Sequence, residues 1–69
     1  MGHLVLSRHV GEAIVIDEGR VVVTLVALRA DKARIGVRAD DGTRIDRLEI
    51  HNIRMREQGL PGIELREVD

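Results

Sequence analysis

The stretch VVVTLVAL, residues 21–28, decides the fold of this 69-residue chain. Its β-branched residues favour a strand, and successive side chains of a strand point to opposite faces. Both faces are largely apolar, one carrying Val21, Val23, Leu25 and Ala27 and the other Val22, Thr24, Val26 and Leu28. Because such a strand must be covered on both sides, we expect a second layer or a second chain to pack against it.

The composition indicates that a second chain packs against these apolar faces. A domain this short buries only about 60% of the surface of its unfolded chain, and small domains often rely on disulfides, metals or partners. The sequence has no Cys, which excludes disulfides and is consistent with a cytoplasmic location, and it has no Phe, Tyr or Trp. The core must be built from Val, Ile, Leu and Ala, so we predict a homodimer.

Short strands are predicted on both sides of the central stretch. Residues 3–7 and 13–16 form two of them, and Gly19 supplies a turn before residue 21. After a hairpin turn at 29–32, residues 32–38 alternate between an apolar face and a positive face, which in isolation is an ordinary solvated strand surface. A short strand is expected at 43–46. The prediction is therefore a mainly β chain of five short strands.

One helix is predicted after the last strand, from about Arg47 to Gln58, with Gly59 as its stop. Asp46 and Glu49 have the spacing of a capping box, which places Arg47 in the first turn, where the helix dipole disfavours a cation. Residues 60–69 carry three acids and one arginine, a net charge of −2. Since the total is −1, residues 1–59 carry +1. The tail forms an extra strand or no ordered structure.

The sequence offers little for catalysis. Its three histidines are scattered without the spacing of a metal site, and there is no nucleophile turn or phosphate-binding glycine loop. We therefore expect that the protein is not an enzyme and binds no metal ion or cofactor. No apolar run approaches the roughly 20 residues that span a membrane. Without aromatic side chains, nucleic acid would have to be bound by arginines and by backbone groups at strand edges.

Three stretches together resemble the CsrA/RsmA carbon storage regulators of bacteria. They are LVLSRHVGEAIVI (4–16), ARIGVRA (33–39) and IDRLEI (45–50), in family order and at nearly family spacing, with an insertion near 17–20. The resemblance implies a symmetric homodimeric β-barrel or sandwich, in which the five strands of each chain interlock and one C-terminal helix per chain projects. It assigns residues 1–59 to the RNA-binding domain and leaves 60–69 as an acidic tail.

The resemblance also implies a function and a site. Such proteins bind GGA-containing hairpin loops in mRNA leaders, block ribosomes or alter mRNA stability, and are titrated by GGA-rich small RNAs. No DNA or membrane partner is implied. The RNA surface joins the first strand of one chain to the last strand of the other. Carried over by position, its residues are Leu6, Ser7, Arg8, Ala39, Thr43, Ile45, Asp46 and Arg47.

Several positions depart from the family pattern. His9 stands where a second arginine is usual, Asp40 replaces a proline, Thr43 a valine, and Asp46 a histidine. The two acids would lie near RNA phosphates, which predicts a lower affinity or a different preferred RNA. The alternative function is therefore a CsrA-like dimeric protein-interaction module or antagonist with weak or no RNA binding.

Overall fold

The computed structural model describes residues 2–65 as a small antiparallel sheet followed by a helix. Strands β1 (Ala13–Ile16), β2 (Val21–Arg29) and β3 (Lys32–Ala39) lie in the order β1-β2-β3, and helix α1 spans Leu48–Glu57. This confirms a mainly β chain with one C-terminal helix. It also confirms the hairpin turn, since Arg29 pairs directly with Lys32.

The pairing register gives the sheet two distinct faces. On the first, which we call the apolar face, Val23 lies opposite both Ile14 and Val37, and Leu25 lies opposite Ile35. On the other face, Thr24 lies opposite Ala13 and Gly36, while Val22 lies opposite Val15 and Arg38. Residues that face each other across a strand pair share one side of the sheet.

A β-bulge corrects the predicted alternation of residues 21–28. The register shifts between Leu25 and Ala27, so Val26 is an extra residue with no partner in β3. Since one extra residue reverses the parity of the strand, Leu28 joins the apolar face and Ala27 leaves it. Gly36 accommodates the bulge, because a Cβ at that position would lie 3.3 Å from Cγ2 of Val26.

Two predicted strands are absent from the single chain. Residues 3–7 and 43–46 adopt no strand structure among the described residues, so three strands replace the expected five. A strand needs a partner edge, and the strand order leaves one edge of β1 and one edge of β3 free. The single chain therefore does not confirm these two strands, because it supplies no second edge with which the segments could pair.

The tail begins as a segment held against the helix. Gly59 has a φ of +72° and ends the helix, as predicted, and the amide of Leu60 donates to the carbonyl of Met55 at 2.8 Å. The side-chain amide of Asn52 then bonds both backbone groups of Ile63, at 2.8 and 3.0 Å. Residues 60–65 thus form no strand, and the rest of the tail lies outside the described residues.

A single chain leaves its apolar surface uncovered. None of the side chains described in residues 2–65 is buried, and the accessible surface is 6640 Å², against about 4,300 Å² for a compact monomer of this mass. The radius of gyration is 14.1 Å, against about 11 Å for a compact chain of this length. Helix α1 contacts none of the strands, and within the described chain no helix is long and apolar enough to cross a membrane.

The β2–β3 turn stores local strain that a substitution should release. Ala30 has a φ of +48° in the turn, a conformation that costs a non-glycine residue roughly 1–2 kcal/mol. We therefore expect Ala30→Gly to raise the free energy of unfolding by about 1 kcal/mol, measured by urea denaturation at fixed protein concentration. Ala33→Gly, within β3, is the control and should lower it. Equal or reduced stability of Ala30→Gly would show that the turn is unstrained.

Candidate nucleic-acid interface

The predicted site residues lie on two separate parts of the chain. Leu6 and Arg8 precede β1 and line a groove over the apolar face, next to Glu12, Ile14, Val23, Leu25 and Ile35. Ala39 ends β3, and Thr43, Ile45, Asp46 and Arg47 follow in the connection to α1. Among the described residues, no hydrogen bond or ion pair joins the 6–8 segment to the 43–47 segment. One chain therefore supplies both halves of the predicted site without a hydrogen bond or ion pair between them in the described residues.

Arg8 is held by its own chain. Its Nε donates to the carbonyl of Ser7 at 3.0 Å, its Nη1 donates to the carbonyl of Ala13 at 3.4 Å, and its Nη2 lies 3.6 Å from Oε1 of Glu12. All three guanidinium nitrogens therefore have partners near the start of β1. An anion that binds Arg8 must compete with these contacts or use the remaining N–H groups.

Glu12 is the carboxylate that organises this end of the sheet, and sequence reasoning did not single it out. The backbone amide of His9 donates to its Oε1 at 2.7 Å, and Nδ1 of His9 lies at 3.2 Å. The amide hydrogen bond is the largest cause that lowers the pKa of Glu12; the Arg8 charge lowers it further, while lost hydration opposes both. The spacing His9-x-x-Glu12 matches no recognised sequence motif.

This carboxylate should make part of the stability dependent on pH. Because the folded-state pKa of Glu12 is lowered, its contribution is present above the unfolded-state pKa and is lost as the pH falls through the folded-state pKa. We expect Glu12→Gln to show a smaller fall in melting temperature than the wild type when melts at pH 6 and pH 3 are compared. Glu57→Gln, at the end of α1, is the control. If the melting temperature of Glu12→Gln falls as much as that of the wild type, Glu12 does not contribute to the pH dependence of stability.

The turn after β3 is stabilised by one of the unusual acids. The amide of Thr43 donates to the carbonyl of Asp40 at 3.0 Å, and the Thr43 hydroxyl donates to the Asp40 carboxylate. Two residues that depart from the family pattern therefore contact each other. Their partnership gives Asp40 a role within the turn, whatever its distance from RNA.

Asp46 is the centre of an ion cluster, and the capping-box prediction is wrong. The helix N-cap is Arg47, and no side chain caps the helix. The Asp46 carboxylate instead accepts a hydrogen bond from Nη2 of Arg54 and lies 3.3 Å from Nε of Arg44. The Asp46 and Arg54 side chains are only 19% and 26% exposed, so their charges are partly shielded from water. Asp46 and Arg54 are eight positions apart in the sequence, and no helix-capping rule predicts an ion pair at that spacing.

Arg47 differs from the other candidate residues of the 43–47 segment. It has extended backbone angles, φ −63° and ψ 149°, and its carbonyl accepts the first helical hydrogen bond, from His51 at 3.0 Å. Within residues 2–65 its side chain has no ion pair, and none is formed with the nearby Glu49. Arg47 therefore brings an unpaired cationic side chain to the residue that begins the helix, whose first N–H groups lack intrahelical partners, an arrangement suited to an anion.

No other chemistry emerges from the described part of the chain. It contains no group of three or more His, Cys, Asp or Glu side chains arranged to hold a metal ion. The grooves over the sheet are shallow and lined mainly by Val, Leu and Ile. The candidate interface is therefore the arginine-bearing segment before α1 together with the segment before β1.

Comparison with known proteins places the chain in one family. Residues 3–55 match the profile of the CsrA family, described as the global regulator protein family. A curated relative, the translational regulator CsrA of a Nocardioides species, is 45% identical over 47 residues, which cover 68% of this chain and 55% of that protein. The chain thus spans little more than half the length of this relative, and no solved structure matches it. The match over residues 3–55 shows that this chain belongs to the CsrA family.

Proposed function

We propose that this protein is a post-transcriptional regulator that binds GGA-containing hairpin loops in mRNA leaders. Binding there blocks ribosome access or alters mRNA stability, and GGA-rich small RNAs compete for the same surface. The observation that carries the proposal is Arg47, an unpaired cation among the described residues at an open helix N-terminus, at one of the positions that the family resemblance implies for RNA binding. The segment 43–46 beside it offers backbone groups for base recognition.

The proposed functional unit is a symmetric homodimer. The excess of accessible surface over a compact monomer is 6640 Å² minus about 4,300 Å², or roughly 2,300 Å² per chain. For two chains this is roughly 4,600 Å², within the roughly 2,000–5,000 Å² that obligate dimers bury in total. A second copy that covers the apolar face supplies the core that a single chain lacks.

The same dimer would complete the strands and the site. Residues 3–7 and 43–46 are strand-like in sequence and have no partner in one chain, while β1 and β3 have free edges. In the proposed dimer each segment pairs with a free edge of the other chain, giving five strands per chain. Leu6, Ser7 and Arg8 of one chain would then lie beside Thr43, Ile45, Asp46 and Arg47 of its partner.

A mobility-shift assay tests the proposed function. The probes are a hairpin with GGA in its loop and the same hairpin with the loop changed to CCA, each at two salt concentrations. We expect the GGA hairpin to bind more tightly at both, with both affinities falling as salt rises. Equal affinity for the two loops would contradict the proposal.

One specific observation favours the alternative, a dimeric protein-interaction module. Arg8 is engaged within its own chain, and Asp46 pairs with Arg44 and Arg54, which leaves less positive charge free for RNA. This alternative predicts a folded dimer that shifts neither hairpin at any salt concentration. The same assay therefore separates the two functions.

The acids of the interface should limit RNA affinity. Asp46 neutralises Arg44 and Arg54, so Asp46→Asn releases positive charge beside the proposed phosphates. We expect tighter binding of the GGA hairpin and a steeper salt dependence, with the gain shrinking as salt screens exposed charges within about 10 Å at 0.1 M. Asp46→His and Asp40→Pro should act in the same direction. Asp41→Asn is the control, because Asp41 lies in the same turn as Asp40. An unchanged affinity in the Asp46 and Asp40 variants would show that these two acids lie away from RNA.

A further inference from the structure

The cations of the sheet all lie on one face. Strands β1, β2 and β3 contain no acidic residue, and their only charged side chains are Arg29, Lys32, Arg34 and Arg38. Arg29 pairs with Lys32, and the even-numbered residues of β3 share one side, so all four lie opposite the apolar face. We call this set the basic strand face.

These four side chains form no ion pair within the described part of the chain. The ion pairs found there use Arg8, His9, Arg20, Arg44 and Arg54. The members of the basic strand face are exposed, and two of them, Arg29 and Lys32, stand directly opposite each other. Like charges in that position destabilise a sheet. An anionic ligand would offset this cost.

The spacing of the face suits a chain of anions. Alternate residues of a strand are about 6.6 Å apart, so the row from Lys32 to Arg38 is roughly 20 Å long. Separations of this size are comparable with those between successive phosphates of an extended nucleic-acid strand. One small anion would contact only part of this row of cations, whereas several consecutive phosphates could contact the whole row.

An apolar groove lies between two of the cations. At Gly36 the row has no side chain, and the bulged Val26 lies there instead. Val22, Thr24, Val26 and Arg38 line a shallow groove of about 440 Å³. Apolar side chains beside a guanidinium offer a surface for a base as well as for its phosphate. A flexible single strand meets this combination more readily than a rigid duplex does.

We propose that the basic strand face is a second RNA-binding surface, which holds the single-stranded flank of an RNA whose hairpin occupies the interface before α1. The inference rests on the proposed function for the identity of that RNA. It adds a separate contact that reads phosphates and no particular sequence. An RNA with a flank should therefore bind more tightly than its isolated hairpin.

The test compares three RNAs and three variants of the full chain. The RNAs are the GGA hairpin alone, the hairpin with a flank of roughly ten uridines, and the uridine strand alone. Arg34→Gln with Arg38→Gln removes two charges from the face, and Arg34→Lys with Arg38→Lys keeps them. Arg20→Gln with Arg56→Gln is the control with the same loss of charge elsewhere. Circular dichroism and sedimentation establish that each variant is a folded protein of wild-type size.

The expected results concern the flanked RNA and the uridine strand. The flank should strengthen wild-type binding, and the glutamine pair should lower the slope of log affinity against log salt by about 1.4, or roughly 0.7 for each lost phosphate contact. The lysine pair and the control should keep the wild-type slope, and the isolated hairpin should bind all variants equally.

Three outcomes would overturn the inference. They are a flank that adds no affinity, a glutamine pair no weaker than its control, and polyglutamate that competes as well as uridine RNA for the same face. A protein that binds GGA and CCA hairpins equally would refute the proposed function instead. In that case the uridine strand alone still tests the basic strand face, because its binding requires no hairpin.

Discussion

Leu25→Asp is expected to leave no folded protein at micromolar concentration. Leu25 lies in the middle of β2, opposite Ile35, and lines the groove that Leu6 and Ile14 also line. In the proposed dimer this apolar face becomes the core, so the substitution would bury a carboxylate without a partner. Such burial costs several kcal/mol, a large share of the 5–15 kcal/mol that stabilises an ordinary folded protein.

The neighbouring residue provides the matched control. Thr24→Asp places the same charge one residue away, on the face that also carries Arg38. We expect it to remain folded and dimeric. Far-ultraviolet circular dichroism and sedimentation velocity on both variants make the comparison. A folded monomer of Leu25→Asp would refute the dimeric core.

Arg47→Ala is expected to remove most of the RNA affinity while the protein stays intact. The guanidinium is unpaired among residues 2–65, and the helix uses only the backbone of Arg47 at its start. The loss should be roughly 1–3 kcal/mol at each RNA site. The melting temperature and the sedimentation coefficient should be nearly unchanged, because no described intrachain ion pair is lost.

Two further variants show whether the geometry of this arginine matters. Arg47→Lys keeps the charge but lacks the planar, multidentate guanidinium, so its affinity should lie between those of wild type and Arg47→Ala. Arg56→Ala removes a cation near the other end of α1 and should retain most of the affinity. Titration of a labelled GGA hairpin gives all four values. Wild-type affinity in Arg47→Ala, or loss of folding together with binding, would assign Arg47 a structural role.

Local sequence signals predicted the parts of the fold that a single chain completes. The β-branched run at 21–28, the alternation at 32–38 and the turn between them all involve neighbours within a few residues. Gly59 likewise ended the helix where predicted, with φ +72°. The Val26 bulge escaped prediction, because it depends on a fit against Gly36 in the adjacent strand.

Signals that depend on distant partners were interpreted less well. Residues 3–7 and 43–46 have strand-like sequences but no strand partner in one chain. The Asp46–Glu49 spacing predicted a capping box, yet Arg44 and Arg54 bind Asp46. A carboxylate with a guanidinium in reach is drawn to it more strongly than to a neutral backbone amide. The residues that carry the candidate site were identified by family resemblance, and their assignment to RNA stays a prediction.

A mixed dimer tests most directly whether the RNA site is built from two chains. Arg8→Ala chains and Arg47→Ala chains, carrying different affinity tags, are refolded together, and the doubly tagged dimer is isolated. If each site combines Arg8 of one chain with Arg47 of its partner, one site of this dimer carries both substitutions and the other carries neither. The measurement is the number of GGA hairpins bound at wild-type affinity, by titration calorimetry. We predict one hairpin per mixed dimer, whereas none would contradict a site built from two chains.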